Sequence, residues 1–236
     1  MTEVRQGLFK LPGVVLKRRI SPEGDVSLYL FLKEAGPVYV QAPGASRGRV
    51  RFGGAIEPLV WAAFNLYRGE RTFYLKSADI KEDFWGLRGK TAAINRLLDW
   101  DGLLCRHLVP GLQCDEVLTL FYRSGLLLKE GVHPLVVEWR FLWKWLNEWG
   151  IAPSLDICGG CGSRLTSARL GTSGLHCPSC ARSGGQHLSE EMLEQLRESV
   201  SLPARKVVER FHSEYFASAA AWREADERIR QYFSFL

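Results

Sequence analysis

The sequence contains none of the common short signatures of enzyme active sites. Its 236 residues include no P-loop, no Gly-x-Ser-x-Gly turn, no His-Glu-x-x-His helix and no Gly-x-Gly-x-x-Gly after a strand. Histidine is also scarce, and the five histidines are scattered without an obvious nucleophile: His107, His133, His176, His187 and His212. These absences predict a binding protein rather than an enzyme, with no small-molecule substrate.

Long apolar runs are missing as well. No stretch approaches the roughly 20 apolar residues that are needed to cross a bilayer, and residues 1–10 lack the apolar segment of a secretion signal. We therefore expect a cytoplasmic protein without a membrane partner. Disulfides are rare in that reducing compartment, which bears on the six cysteines of the chain.

Four of these cysteines form the most specific pattern in the sequence. Cys158-Gly-Gly-Cys161 and Cys177-Pro-Ser-Cys180 follow the spacing C-x2-C-x15-C-x2-C, which is typical of zinc sites. Two residues between cysteines allow one turn to direct both sulfurs at one ion, and two such turns complete a closed tetrahedron of thiolates. The spacing predicts one structural Zn²⁺ per chain.

Other interpretations of the cysteines remain open. Two disulfides are one alternative, and a thioredoxin-like redox motif is another, although that motif needs one C-x-x-C on a strand-to-helix turn. His176, next to Cys177, is the only plausible substitute ligand. The remaining two, Cys105 and Cys114, have leucine-rich surroundings and are predicted to be buried, inert thiols.

Turn-forming residues divide the first 80 residues into short strand-like runs. Five strands are predicted, at 13–19, 26–32, 38–42, 58–67 and 71–80. Five short strands with glycine-rich connections predict a five-stranded OB-type barrel. The predicted OB-fold domain covers residues 1–81.

From about residue 91 apolar residues recur every three or four positions, which indicates helices. Helices are predicted at 92–108, 115–129, 134–149, 189–200, 203–216 and 219–232. Four tryptophans of the third helix could form a platform for bases, but such a wide apolar face is more typical of a core. The predicted fold class is α+β multidomain, in which the barrel precedes an α-helical domain at 82–236 with a four-cysteine zinc-binding insertion at about 154–186.

Charge is distributed unevenly along the chain. Residues 1–81 contain 13 Lys and Arg against 7 Asp and Glu, a net charge of +6, whereas the whole chain carries +5. A basic excess confined to the barrel indicates an anionic partner, and phosphate contacts would give salt-sensitive binding of nucleic acid. The cations predicted to bind DNA are Lys17, Arg18, Arg19, Arg47, Arg49, Arg51, Arg68 and Arg71.

Aromatic side chains of the barrel could add contacts to unpaired bases. Phe52 and Tyr29 are the candidates, although either could instead fill the barrel interior.

Several stretches occur in a specific order. Residues 13–19, Gly-Val-Val-Leu-Lys-Arg-Arg, precede Gly24-Asp25 and the strand at 26–32, and the basic loop 44–54 precedes Glu57-Pro58. Residues 146–162 lead from the third helix into the first cysteine pair, and residues 174–181 contain the second. In this order, and over nearly the whole chain, they resemble the RecO family of bacterial recombination mediators.

The resemblance implies a protein of DNA repair and homologous recombination that binds single- and double-stranded DNA. It further implies annealing of complementary strands coated by single-strand-binding protein and, together with RecR, loading of the RecA recombinase, at the bacterial nucleoid. Two other functions remain open. One is a zinc-stapled OB-fold adaptor whose basic barrel binds an acidic protein tail, and the other is an RNA-binding protein.

Overall fold

The computed structural model describes residues 7–46, 51–70, 72–171, 174–181, 185–216 and 219–235. The chain divides into two compact units, residues 1–119 and 120–236, and each is described by itself. The predicted domain boundary at residues 81 and 82 stays a prediction, because compact units do not establish which segments fold independently.

The first unit contains a closed barrel of five strands, as the sequence predicts. In chain order the strands are β1 (Gly7–Ile20), β2 (Val26–Leu32), β3 (Gly36–Ala42), β4 (Trp61–Arg68) and β5 (Phe73–Glu82). Their order around the barrel is β1-β2-β3-β5-β4. All pairs are antiparallel except β3 with β5, which closes the barrel in parallel. A short 3-10 helix at Gly53–Ile56 precedes β4, and the architecture is that of an OB-fold.

Strand β1 is six residues longer at its start than the predicted run at 13–19. Its first half pairs with β4, from Gly7 opposite Arg68 to Val14 opposite Trp61, while its second half pairs with β2. The sequence conceals this first half because Pro12 argues against a continuous strand. In the structure Pro12 still contributes its carbonyl oxygen, which accepts from the backbone N–H of Lys33 at 2.9 Å.

The barrel interior is filled by apolar side chains from every strand. Val15, Leu30, Val40, Phe64 and Leu75 represent the five strands in this cluster, and each is at most 1% exposed. Alternate residues along a strand face opposite sides, so the intervening side chains lie on the outer surface of the barrel. The interior packing thereby determines which polar side chains the barrel presents to solvent.

Helix α1 (Thr91–His107) follows the barrel, and the chain after it returns to β3. The backbone N–H of Gly111 donates to the carbonyl oxygen of Pro37 at 2.8 Å. Gly36 has φ of +68°, and a Cβ there would lie 2.1 Å from the carbonyl oxygen of Leu112. Only glycine satisfies both constraints, so this contact fixes the segment after α1 against the barrel.

Helix α2 (Asp115–Lys129) contains the boundary between the units, and the second unit is built around helix α3 (Pro134–Glu148). The remaining elements are β6 (Ala168–Gly171), β7 (Gly174–His176), β8 (Gln186–Leu188), α4 (Glu190–Ser201), α5 (Ala204–Arg210) and α6 (Ala219–Tyr232). Trp139 and Trp145 of α3 are fully buried, and Trp143 donates from its indole N–H to the carbonyl oxygen of Pro153 at 3.0 Å. Trp139 and Trp145 therefore belong to the core, as the helical spacing predicts, whereas Trp143 and Trp149 are only partly buried.

Two predicted helices in the second unit have different outcomes. Ser189 is the N-cap of α4, because its side-chain oxygen accepts from the backbone N–H of Met192 at 3.2 Å. The helix predicted through residue 216 was wrong in its length, since α5 ends at Arg210. The carbonyl oxygen of Phe211 accepts instead from the backbone N–H of His133 at 2.9 Å, and this long-range pairing diverts the chain from the helical path.

Helix α6 is joined to α3 by a buried ion pair. Glu138 is 0% exposed and accepts from the guanidinium of Arg230. A buried charge is tolerated when it is paired and hydrogen-bonded, so this pair restricts how α6 can pack on α3. Within the described residues, no helix is long and apolar enough to span a membrane.

Candidate nucleic-acid interface and metal centre

The first cysteine pair lies on a tight turn between α3 and β6. The backbone N–H of Cys158 donates to the carbonyl oxygen of Ser163 at 2.8 Å, and that of Gly162 donates to the carbonyl oxygen of Cys158 at 3.0 Å. Gly162 has φ of +71°, a conformation that favours glycine. The turn therefore aims the side chains of Cys158 and Cys161 in one direction.

The second pair lies on a similar turn directly after β7. The backbone N–H groups of Cys180 and Ala181 donate to the carbonyl oxygen of Cys177 at 3.0 and 2.9 Å. The two turns are joined by a hydrogen bond of 2.9 Å from the N–H of Gly159 to the carbonyl oxygen of Leu175.

The four sulfurs converge on one point. All lie within 4.8 Å of one another, and the Sγ atoms of Cys161 and Cys177 are 3.8 Å apart. Zn–S bonds of about 2.3 Å in a tetrahedron place the sulfurs about 3.8 Å from each other. The four cysteines thus have the spacing of a closed four-sulfur site and could hold a metal ion.

The surroundings of Cys158 favour the thiolate form that a metal requires, whereas hydrogen bonds with the neighbouring cysteines raise the pKa of the Cys180 thiol to about 12. Backbone N–H groups of Cys177 and Gly160 donate to Sγ of Cys158 at 3.2 and 3.3 Å, and these hydrogen bonds lower the pKa of that thiol. A Cβ at Gly160 would lie 3.1 Å from Cβ of Cys180 and 3.5 Å from Nδ1 of His176. His176 therefore packs beside the turn, while the group of converging ligands in the described residues consists of the four cysteines.

Arg197 of α4 connects the base of this insertion to the helices. Its guanidinium donates to the carbonyl oxygens of Leu155 and Leu165, each at 2.8 Å, and lies 3.2 Å from Oδ1 of Asp156. The two carbonyls flank the first cysteine turn on both sides. Sequence reasoning missed Arg197, because nothing in its helical position distinguishes it from a solvated arginine.

Two further anchors lie on the strands of the insertion. The side-chain amide of Gln186 donates to the carbonyl oxygen of Ala221 in α6 at 2.8 Å, and the hydroxyl of Tyr232 donates to the carbonyl oxygen of Gly171 at 3.0 Å. The insertion is therefore attached to both α4 and α6 by polar contacts.

The remaining two cysteines, Cys105 and Cys114, belong to the first unit. Both are half-buried rather than fully buried, and burial raises the pKa of each thiol to about 11. Burial therefore disfavours the thiolate, which is the reactive form of cysteine.

The cations at the end of β1 separate onto two sides of the strand. Lys17 and Arg19 are exposed and lie opposite Tyr29 and Ser27 of β2. The guanidinium of Arg18 pairs instead with the carboxylate of Glu57. The prediction grouped the three as one patch, but the strand alternation and this ion pair leave Lys17 and Arg19 as the more available charges.

Lys17 also lies near a buried carboxyl group. Burial raises the pKa of Asp101 in α1 to about 7, and the Lys17 ammonium acts in the opposite direction. Lys17 also acts to lower the pKa of the Cys105 thiol, against the larger effect of burial. The Lys17 ammonium therefore interacts with side chains of the protein itself as well as facing solvent.

The other predicted cations are divided by what the structure describes. Arg51 is exposed, with its guanidinium 5.0 Å from the ring centroid of Phe52, and Arg68 lies 5.1 Å from the ring centroid of Phe73. Arg47, Arg49 and Arg71 lie outside the described residues. Their side-chain positions stay a prediction.

Three connections lie at the same end of the barrel. They are the turn 21–25, the chain that leaves β3 after Ala42, and the turn 69–72 between β4 and β5. The backbone N–H of Gly44 donates to the carboxylate of Asp25 at 2.7 Å, and that of Ser46 donates to the carbonyl oxygen of Gly24 at 3.0 Å. The basic loop therefore leaves the barrel beside the β1–β2 turn. OB-folds bind oligonucleotides with the loops that correspond here to the β1–β2 and β4–β5 turns.

The aromatic candidates from the sequence are poorly exposed. Tyr29 is 6% exposed and lies against the ring of Tyr39 with centroids 4.6 Å apart, while Phe52 packs against the barrel core. Among the described residues of the barrel strands, the exposed rings are those of Tyr39, Tyr67 and Tyr74. Sequence reasoning missed them, although Tyr67 and Tyr74 flank the predicted turn at 68–70, which was an available signal.

Comparison with known proteins supplies an independent finding. The family model described as "Recombination protein O C terminal" matches residues 103–235. The chain is 28% identical over 233 residues to the DNA repair protein RecO of Rubrobacter xylanophilus. The aligned region covers 95% of this chain and 88% of that protein. It is 32% identical over 176 residues to the DNA repair protein RecO of Geobacter metallireducens, which covers 72% of each.

Proposed function

The chain belongs to the RecO family of DNA repair proteins, and we propose that it binds single- and double-stranded DNA through its basic barrel and anneals complementary strands. The strands would be coated by single-strand-binding protein, and with RecR the protein would promote loading of RecA. The observation that carries the proposal is the net charge of +6 on residues 1–81, in the unit whose fold offers three loops at one end.

The physical mechanism requires no catalytic group. Cations of the barrel offset the repulsion between two phosphate backbones and hold the strands close enough for base pairing. Pairing of complementary strands is favourable once they meet, so the protein acts by easing their encounter. The DNA contacts that we propose are those of Lys17, Arg19, Arg47, Arg49, Arg51, Arg68 and Arg71, with a smaller contribution from Arg18 because of its pairing with Glu57.

The proposed cofactor is one Zn²⁺ held by Cys158, Cys161, Cys177 and Cys180. Four thiolates at tetrahedral spacing favour zinc over the hard, oxygen-binding cations. A closed four-sulfur shell leaves no position for a substrate, so the ion would support the structure of the insertion. A cytoplasmic location at the nucleoid belongs to the same proposal.

The experiment measures affinity for a fluorescently labelled single strand and a matched duplex at several salt concentrations between about 50 and 200 mM. The variant Arg47→Gln/Arg49→Gln/Arg51→Gln removes three proposed phosphate contacts. The slope of log K against log salt should become shallower by about 2 for the single strand. Lys33→Gln is the matched control, because Lys33 lies beside the β2–β3 turn at the opposite end of the barrel.

Annealing is tested in the same series with complementary oligonucleotides coated by single-strand-binding protein. The wild-type protein should accelerate pairing, and the triple variant should do so less. A wild-type protein that binds neither DNA form would contradict the proposed function. A triple variant with an unchanged salt slope would contradict the role of the loop alone.

A further inference from the structure

A continuous row of side chains crosses the outer surface of the barrel. The strand register places Tyr67 opposite Tyr74, Tyr74 opposite Gln41, Gln41 opposite Ser27, and Ser27 opposite Arg19. Residues directly opposite each other on paired strands share one face of a sheet. The hydroxyl of Ser27 donates to Oε1 of Gln41 at 2.8 Å, which agrees with this arrangement. We call these five residues the tyrosine row.

The tyrosine row faces solvent at the barrel end where the three connections lie. Each of its members is within two residues of a strand end, next to the turn 21–25, the exit of β3 or the turn 69–72. Tyr67 and Tyr74 are 36% and 37% exposed. Four strand spacings separate Tyr67 from Arg19, which gives the row a length of roughly 19 Å.

The chemistry of the row changes along its length. Two phenol rings occupy one end, amide and hydroxyl groups the middle, and the exposed guanidinium of Arg19 the other end. Lys76, on the same face as Tyr74, places its ammonium 5.3 Å from the ring centroid of Tyr67. A third exposed ring, that of Tyr39, lies two residues from Gln41 on the same face of β3 and is 63% exposed.

This combination fits unpaired bases better than a protein surface. Exposed aromatic rings stack with any base, and neighbouring cations bind the phosphates that connect successive bases. An apolar protein partner would instead require a contiguous apolar patch, whereas the middle of this row is polar. In a duplex the flat faces of the bases are covered by neighbouring bases. Only the bases of a single strand could therefore stack on these rings.

We propose that the tyrosine row binds single-stranded DNA, with unpaired bases stacked on Tyr67 and Tyr74 and phosphates contacted by Arg19 and Lys76. The inference rests on the proposed DNA-binding function and adds that the barrel distinguishes single-stranded DNA from duplex DNA. The basic loop would contribute charge to both forms, while the rings would favour the single strand. Such a preference holds a strand with its bases accessible until its complement arrives.

The test compares the double variant Tyr67→Ala/Tyr74→Ala with wild-type protein by fluorescence anisotropy, using an oligo-dT strand and a blunt duplex of equal length. Loss of base stacking on two rings should weaken single-strand binding by at least about tenfold. Duplex affinity should stay within about twofold, and the salt slope should not change, because no phosphate contact is removed. Tyr67→Phe/Tyr74→Phe should bind the single strand like wild type, since the rings remain.

Ile80→Ala is the matched control, because Ile80 is an exposed apolar residue of the same strand β5. It should leave both affinities unchanged. An alanine double variant with unaltered single-strand affinity would overturn the inference while leaving the proposed function intact. Equal weakening for both DNA forms, or weak single-strand binding by the phenylalanine variant, would also overturn it. Failure of the wild-type protein to bind DNA would instead contradict the proposed function.

Discussion

The barrel and the cysteine insertion are held together by different forces. In the barrel, apolar side chains from all five strands fill a closed interior, and every strand has a partner on both sides. The insertion has strands of only three or four residues, and it is attached to α4 and α6 by the polar contacts of Arg197, Gln186 and Tyr232. Strands this short are shorter than is usual in sheets that are stable in water.

The difference predicts which region would depend on the proposed metal ion. Hydrophobic burial stabilises the barrel without help from an ion. In the insertion, the two cysteine turns bring four sulfurs together in one cluster. If a zinc ion binds this cluster, the free energy of binding also contributes to the stability of the folded insertion. The barrel can therefore present its charged and aromatic outer side chains on a stable framework, while we expect the insertion to need its four thiolates to keep its shape.

The largest effect is expected from Cys158→Ser/Cys161→Ser. Zinc content should decrease from one ion per chain to none, and residues 154–188 should lose protection from hydrogen exchange, because zinc-finger peptides derive about 10 kcal/mol or more from metal binding. The barrel strands should keep their protection. Cys114→Ser is the control, since its thiol lies outside the cluster. An unchanged thermal unfolding curve for the double variant would show that the cysteines have no structural role.

A smaller effect is expected from Leu30→Ala in the barrel core. Leu30 is fully buried, and truncation of such a residue to alanine lowers the free energy of unfolding by about 2–5 kcal/mol. Urea unfolding should show the same decrease with and without a zinc chelator, because the barrel does not depend on the ion. Leu8→Ala is the control, as Leu8 is 75% exposed. A decrease that disappears in chelator would contradict the separation between the two regions.

The smallest effect is expected from Asp101→Asn, through pH. Burial raises the pKa of Asp101 in the folded protein to about 7 from 3.8, so its stabilising contribution is greatest below pH 4 and is lost as the pH rises towards 7. Between pH 5 and pH 7 this loss should lower the free energy of unfolding by about 2 kcal/mol. Asp101→Asn should remove this decrease in urea unfolding.

Asp99→Asn, at a more exposed site on the same helix, should retain the pH dependence of the wild type. Identical pH profiles for Asp101→Asn and wild type would disprove the assignment to Asp101. The direction of the pH dependence distinguishes the two regions. Ionisation of Asp101 lowers stability as the pH rises, whereas metal binding by thiolates weakens as the pH falls.

Much of the local structure was predictable because it depends on neighbouring residues. Glycine and proline between apolar runs locate β2 and β3 closely, and apolar periodicity locates α2 and α3 almost to the residue. The errors occur where distant residues compete with local preference. The first half of β1 is held by β4, and the hydrogen bond between His133 and Phe211 shortens α5.

The same reasoning separates the two candidate sites. The convergence of the four cysteines was predictable because they lie in two short motifs whose spacing is typical of zinc sites. The proposed interface on the barrel was predictable only as a basic region. Charge counts could not reveal that Glu57 pairs with Arg18, that Tyr29 is buried, or that Tyr67 and Tyr74 are exposed side by side.

By itself, the sequence determined the order of barrel, helices and insertion, the two cysteine pairs and the basic character of the first 81 residues. Each of these follows from composition or from spacing within a few residues. The tertiary structure decided how the sulfurs converge and how Arg197 attaches the insertion. It also decided which side chains form a row from Tyr67 to Arg19. These contacts join residues far apart in the chain, and they exist only once strand register and core packing have selected the face on which each side chain lies.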